Sequence, residues 1–406
     1  MLIGYECKTE GFGFSPATRL ERLLQHDGEA PVALIAPTGC GKGRDFVIPN
    51  VLHHKGSLIV TDPKGELYAV TARHRAKMGQ VAALRPFGRK IDTLNPFDYF
   101  SLPGIELETE AEMFASCLGA GHEFASDPFW SDNANGLNAG LIAHLVSQGN
   151  PSIRKLKELL YQADLDYQLA LKIDEKTEGS PLAHDEFVAF LNHPSDKTRP
   201  SVLSTAQTHI KCMATDSVVA AMENSTVSLM KILAGEPITL YIIIAPEKLH
   251  SHRALLRLWV GVLLNTVLKR TTRPELPTLF ILEEAAQLGT FAPLLTATTL
   301  MRAYGLRLVT VWQNMAQIKA RYPLDWTTIL DNCEMILSFG VGHFGSANEL
   351  AAYLGMDPAQ LLGLRPEEAA VSIRHQGTQV IRKLNYLKDQ MFRGMFDPNP
   401  MYEKVA

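Results

Sequence analysis

The chain has no excess of positive charge: 39 Lys and Arg stand against 43 Asp and Glu, a formal net charge of −4. A global basic field that would gather nucleic acid is therefore excluded, and any contact with a phosphate backbone must come from a confined patch, such as a ring or channel lining. Cysteine is scarce, five in 406 residues. Cys7, Cys40, Cys117, Cys212 and Cys333 are scattered without CxxC spacing, which argues against a zinc site or disulfide scaffold and fits a reducing compartment. Long apolar runs are missing too: residues 240–245 and 258–268 fall far short of the ~20 residues a transmembrane helix needs. Residues 1–30 show no signal peptide, and there are no repeats or low-complexity segments. What remains is 46% hydrophobic and 20% charged, ordinary for a soluble globular protein and long enough for two domains.

Residues 31–52, PVALIAPTGCGKGRDFVIPNVL, organise the rest. An apolar run at 32–36 stops at Pro37, a Gly-rich turn follows, then Lys42 and a mostly apolar segment fit for a helix. A buried strand feeding a Gly-rich loop at a helix N-terminus is the geometry of a phosphate cradle, with converging backbone N–H groups and a lysine for the terminal phosphates. Pro37, Thr38, Gly39, Cys40, Gly41, Lys42, Gly43 and Arg44 are the candidate nucleotide-binding residues. The match to GxxxxGK[ST] is incomplete, since Ala36 replaces the first Gly and Gly43 the Mg²⁺-ligating hydroxyl. Alone, it reads equally as an ordinary strand-to-helix turn.

A second motif decides. Residues 278–284, TLFILEE, describe a buried parallel strand tipped with two carboxylates. Beside a phosphate loop, one such carboxylate supports Mg²⁺ and the next polarises the attacking water. Together the two motifs indicate a P-loop ATPase. Further strands are expected at 57–62, 80–84, 238–245, 307–311 and 335–339, and helices at 16–24, 66–77 and 254–268, after an extended stretch over 1–14. Between about 106 and 233 the pattern is helical, with candidate helices at 108–118, 131–146, 152–162 and 200–213. The expected fold class is therefore α/β, a RecA-like P-loop NTPase domain with a mostly parallel sheet flanked by helices, split into 1–104 and 236–406 with a tail from about 356. An all-α domain over 105–235 is inserted. Asp62 and Lys64 lie at a strand tip, either as ligand contacts or as a polar turn capping the next helix. Gln313 and Asn314 follow another strand, where an amide can hold the water or sense the γ-phosphate. Eighteen residues after Glu284, Arg302 is either a finger for a neighbouring subunit's nucleotide or a surface salt-bridge residue.

The order of these elements resembles the type IV secretion coupling proteins, the VirD4/TraG group of RecA-like translocating ATPases related to FtsK and HerA. The resemblance spans roughly residues 25–400. It rests on Ala36-Pro-Thr-Gly-Cys-Gly-Lys-Gly43 with Val47-Ile-Pro-Asn-Val-Leu52, on Thr61-Asp-Pro-Lys-Gly-Glu-Leu67, Asn95-Pro-Phe-Asp98 and Asp127-Pro-Phe-Trp130. Ile244-Ala-Pro-Glu247, Glu283-Glu-Ala-Ala-Gln-Leu-Gly289, Gln313 with Gln317, Arg382-Lys-Leu-Asn-Tyr386 and Phe396-Asp-Pro-Asn-Pro400 extend it. A Gly after the lysine is normal for this group.

The resemblance implies a homo-hexameric ring that hydrolyses ATP with Mg²⁺ and helps pass single-stranded DNA with its relaxase, or a secreted protein, to type IV secretion channel components. By position Lys42 would bind phosphates, Glu283 hold Mg²⁺, Glu284 activate water, Gln313 act as sensor and Arg302 as the finger in trans. Two departures stand out. Relatives usually begin with two transmembrane helices, whereas here the phosphate loop starts within forty residues of Met1. A branch docked on a separate membrane protein, or a trimmed chain, is expected, cytoplasmic or peripheral on the inner face of the bacterial membrane and monomeric in isolation. Glu283 also replaces the usual Asp. Two rivals follow: a nucleotide-bound docking platform with little hydrolysis, and an FtsK/HerA-like DNA translocase outside conjugation.

Overall fold

The computed structural model describes residues 1–7, 22–89, 92–119, 128–149 and 151–402. Its strands are β1 (Leu2–Glu6), β2 (Leu23–Gln25), β3 (Val32–Ile35), β4 (Leu58–Thr61), β5 (Gln80–Leu84), β6 (Ile238–Ile242), β7 (Thr278–Leu282), β8 (Leu306–Trp312), β9 (Met335–Ser338), β10 (Glu368–Ile373) and β11 (Gly377–Arg382). They form one sheet in the order β2-β1-β11-β10-β9-β3-β8-β7-β4-β6-β5. From β9 to β5 every pairing is parallel, and from β9 to β2 every pairing is antiparallel.

The apolar runs explain the parallel part. β3, β4, β6, β7, β8 and β9 are buried at every position, as strands covered on both faces must be. Alternation sorts their side chains. Ala33, Ile35, Ile59, Phe280, Leu282 and Leu308 join a core shared with the helices that follow β5. Val32, Leu34, Leu58, Val60, Ile281 and Val309 face the opposite core, with Phe46, Val51 and Val70.

Every described element from Leu107 to Ala234 is helical. Ser152 and Ser180 cap two of these helices, accepting the N–H of Lys155 and Ala183 at 3.2 and 3.1 Å. The helix Arg253–Leu268 packs between this block and the sheet, and Trp259 Nε1 donates to the Leu94 carbonyl at 3.2 Å.

Three expectations change. Leu23 and Leu24 belong to β2, not to a helix over 16–24; residues 16–21 of that span lie outside the described residues, as do Asp127 and most of 1–14 beyond β1. The strand expected to 245 ends at Ile242, because Pro246 opens the helix Pro246–Leu249. The tail contributes two unforeseen strands, β10 and β11. It then returns to the helix Glu66–Arg75, where Arg73 Nε meets Asp397 Oδ1 at 2.6 Å and Asn399 donates to Glu66 Oε1 at 2.6 Å. Among the described residues no helix is long and apolar enough to cross a membrane.

Candidate nucleotide site at the strand ends

The parallel register sets the C-terminal ends of β3, β8, β7 and β4 side by side, where open α/β sheets bind ligands. At the end of β3 the Ala36 N–H donates to the Trp312 carbonyl at 3.0 Å, tying the phosphate loop to the end of β8. Gly41 has φ +86°, and a Cβ there would stand 2.3 Å from Asp45 Oδ2, so only glycine fits. The loop enters a π-turn, Gly43–Val47, before the helix Ile48–His53. Lys42, 8% exposed, folds back onto the loop, donating to the Ala36 and Pro37 carbonyls at 2.9 and 3.3 Å. Both acceptors are neutral, so an incoming phosphate offers its ammonium a stronger, charge-assisted bond.

Two residues not singled out from the sequence complete the loop. Asp45 is buried and accepts from Arg44 Nη2 at 2.8 Å, which holds the guanidinium above its usual range. Lys383, just past β11 and also buried, sits 3.4 Å from Asp45 Oδ2 and donates to the Cys40 carbonyl at 3.0 Å. Its ammonium lies 4.6 Å from the centre of the Phe339 ring. Three cations thus converge on the loop. The available signals were an acid inside an otherwise apolar helix segment and a lysine within the tail phrase 382–386.

At the end of β7, Glu284 adopts a left-handed backbone, φ +58°, which costs a side-chain-bearing residue on the order of 1 kcal/mol and tends to mark a functional turn. Glu284 Oε2 accepts from Gln313 Nε2 at 2.9 Å. Gln313 is itself fixed by its N–H to Gln317 Oε1 at 2.9 Å. Asn314 caps the helix Met315–Arg321, so it shapes the turn and the amide aimed at the acid is Gln313.

Glu283 directly follows β7. The Thr61 hydroxyl donates to its carbonyl at 2.9 Å; burial, then the Asp62 and Glu284 carboxylates, push its carboxyl up to about 8, with Lys64 opposing. Asp62 is pushed up to about 6 by burial. Its Oδ2 accepts from the Tyr68 N–H at 2.8 Å while its Oδ1 is buried without a partner. Asp62 therefore caps the helix Glu66–Arg75 and also borders the site. Two carboxyls short of positive charge, one oxygen orphaned, suit a divalent cation. Among the described residues no group of three or more His, Cys, Asp or Glu forms a closed cage. The donor set matches Mg²⁺, which takes one or two carboxylates plus phosphate oxygens and water.

Arg302 is not brought to this cluster. It is exposed on the turn Met301–Tyr304, before β8 begins, whereas Gln313 follows its end. The seven residues of β8 separate them by about 23 Å.

The raised Glu283 carboxyl has a consequence for stability. The folded protein keeps that proton up to about 8 against an ordinary value of 4.5, so between them the folded state binds more protons and stability falls as pH rises. The Met1 amino group, lowered from 8.0 to about 6, works in the opposite sense above pH ~6. The difference between wild type and Glu283→Gln isolates the acid. In thermal melts without nucleotide, the variant should gain on wild type from pH ~5.5 to ~8.5. A constant offset across that range would contradict the assignment.

A family model described as type IV secretory system conjugative DNA transfer matches residues 5–392. Protein VirD4 of Rhizobium rhizogenes is 25% identical over 416 aligned residues, covering 91% of this chain and 60% of that protein. The conjugal transfer protein TraG of Escherichia coli is 26% identical over 360, covering 82% and 56%. The chain thus spans little more than half the length of these curated relatives. Among solved structures, the bacterial conjugative coupling protein TrwBdeltaN70 in an unbound form superposes with a TM-score of 0.71 at 17% identity, covering 89% of this chain and 86% of that one. That likeness shows the fold, a mostly parallel sheet flanked by helices.

Proposed function

Because the chain belongs to the type IV secretory conjugative DNA-transfer family, we propose that it is an ATP-hydrolysing coupling protein. It links single-stranded DNA carrying a relaxase, or a secreted protein, to the secretion channel and helps drive its passage. The observation that carries this reading is the Glu284–Gln313 contact on the strands beside a loop whose lysine is held in reserve. Nucleotide phosphates draw the Lys42 ammonium off the Ala36 and Pro37 carbonyls while the loop's N–H groups cradle them. Glu283, with Asp62 beside it, would hold Mg²⁺, which would supply positive charge to neutralise the phosphates. Glu284 takes the proton of the attacking water, and Gln313 keeps that carboxylate aimed while its amide reads the γ-phosphate side. TrwB has been solved with ADP and Mg²⁺, which supports the choice of cofactors.

The working form in this reading is a homo-hexameric ring, with Arg302 serving the neighbour's nucleotide and the isolated chain largely monomeric. Its place is the cytoplasmic side of the bacterial inner membrane, on channel components. A docking platform with little hydrolysis is the second reading, favoured by Gly43 in place of a metal-binding hydroxyl and by the longer Glu283.

Steady-state ATP turnover with and without single-stranded DNA separates the two. The motor reading expects DNA to raise turnover, and the rise to fade steeply between low and moderate salt as the gain from releasing counterions shrinks. Slow turnover indifferent to DNA supports the platform.

A further inference from the structure

The turn that presents Arg302 is gripped by a buried side chain from another element. Arg270, two residues beyond the helix Arg253–Leu268, is 6% exposed. Its Nε donates to the Leu233 carbonyl at 3.1 Å. Nη1 donates to the Tyr304 and Gly305 carbonyls at 3.1 and 3.3 Å, and Nη2 to the Ile232 carbonyl and Thr278 Oγ1, each at 2.7 Å. All five N–H groups of the fork are used, none on a carboxylate. Burial accordingly pushes the guanidinium down to about 10.

An unpaired buried cation is costly unless its hydrogen bonds are met, so what it joins matters. Arg270 ties the last turn of the helix Leu229–Ala234 and the first residue of β7 to the residues that follow Arg302. Gly305, at φ +72°, donates its N–H to the Arg302 carbonyl at 3.1 Å, and its own carbonyl also receives the Thr278 N–H at 2.8 Å. With Tyr304 and Gly305 fixed, the Arg302 backbone has little freedom.

Arg75 is a similar clamp that does not touch the Arg302 turn. It is 1% exposed, donates to Thr239 Oγ1 and the Gly56 carbonyl, both at 2.8 Å, and to the His54 carbonyl. It too is pushed down to about 10 by burial. It joins β6 near its start to the end of the helix Ile48–His53 and the segment that leads into β4.

We infer that Arg270 is a positioning residue for Arg302, fixing the turn on which that arginine is offered to a neighbouring copy, and so acts on the neighbour's nucleotide rather than its own. This rests on Arg302 being the finger in trans.

Arg270→Lys keeps the charge but loses the planar fork. It should lower turnover roughly 10- to 100-fold, the scale of a misplaced catalytic group, with ATP affinity retained. Mixing is the readout that a merely structural role would not move. Arg270→Lys subunits keep an intact phosphate loop, so Lys42→Ala subunits, which keep an intact finger, should restore part of the activity. Arg302→Ala subunits share the same defect and should restore none. Arg75→Lys, compared at a matched loss of melting temperature, should keep near wild-type turnover. The opposite pattern, recovery with Arg302→Ala alone, would mean that Arg270 acts on its own site through Thr278 and β7, and would overturn the inference. So would full activity of Arg270→Lys, or recovery with neither partner and equal impairment of Arg75→Lys. Full activity of Arg302→Ala alone removes the finger reading instead, and is read before any mixing. If Arg270→Lys does not fold, Arg270→Gln, which drops the buried charge and keeps two donors, is scored by the same rules.

Discussion

Glu284→Gln is expected to lower ATP turnover by roughly 10³-fold, the middle of the range for loss of a general base, while leaving nucleotide affinity nearly unchanged. The amide is almost isosteric, and its oxygen can still accept from Gln313 Nε2, which now meets Glu284 Oε2 at 2.9 Å. The left-handed turn at φ +58° is also retained, since it is set by the backbone. What is lost is the basic oxygen that receives the water's proton. Lys42→Ala should behave differently, losing nucleotide binding itself, because the phosphates lose the ammonium that now rests on the Ala36 and Pro37 carbonyls. Turnover and equilibrium binding of a fluorescent ATP analogue, measured on both variants, separate the roles. Unchanged turnover in Glu284→Gln would move the base to Glu283, the adjacent acid.

The parts of this site that could be read in advance are those written in contiguous sequence. β7 falls on 278–282 as expected and β8 covers the expected 307–311 with one residue added at each end, because strands buried on both faces leave uninterrupted apolar runs. The Glu284 and Gln313 pairing follows from β7 and β8 being neighbours that both end at the site. The missing parts are long-range. Lys383 reaches Cys40 across 343 residues, and nothing local in Arg382-Lys-Leu-Asn-Tyr386 announces a partner in the phosphate loop. β11 is exposed or half-buried everywhere except Ile381 and turns back from β10 through His375 at φ +65°, a residue with weak turn signature. A half-solvated antiparallel strand with such a turn lacks the apolar run that marked the others. Asp62 was legible as a strand tip, but its influence on Glu283 depended on β4 and β7 being adjacent, which sequence order conceals.

Arg302→Ala should suppress turnover by roughly 10³-fold while nucleotide binding and monomer stability stay close to wild type, the usual cost of losing an arginine finger. Arg302 precedes β8 and Gln313 follows it, so the whole strand, about 23 Å, lies between that arginine and its own chain's site. If Arg302 touches a nucleotide at all, the nucleotide belongs to another copy. Turnover per chain should therefore climb with protein concentration, or on adding DNA long enough to template a ring. Head-to-tail rings place the same two surfaces at every interface. In an equimolar random mixture of Arg302→Ala and Lys42→Ala, about one interface in four pairs an intact phosphate loop with an intact neighbouring arginine. Two variants that are inactive alone should then recover up to about a quarter of wild-type turnover, less if the ring fires only when several sites are sound. Recovery that vanishes on dilution below the assembly concentration would tie it to the interface. If mixing restores nothing although both variants assemble, Arg302 does not act across it, and its exposure on the turn is that of an ordinary surface arginine.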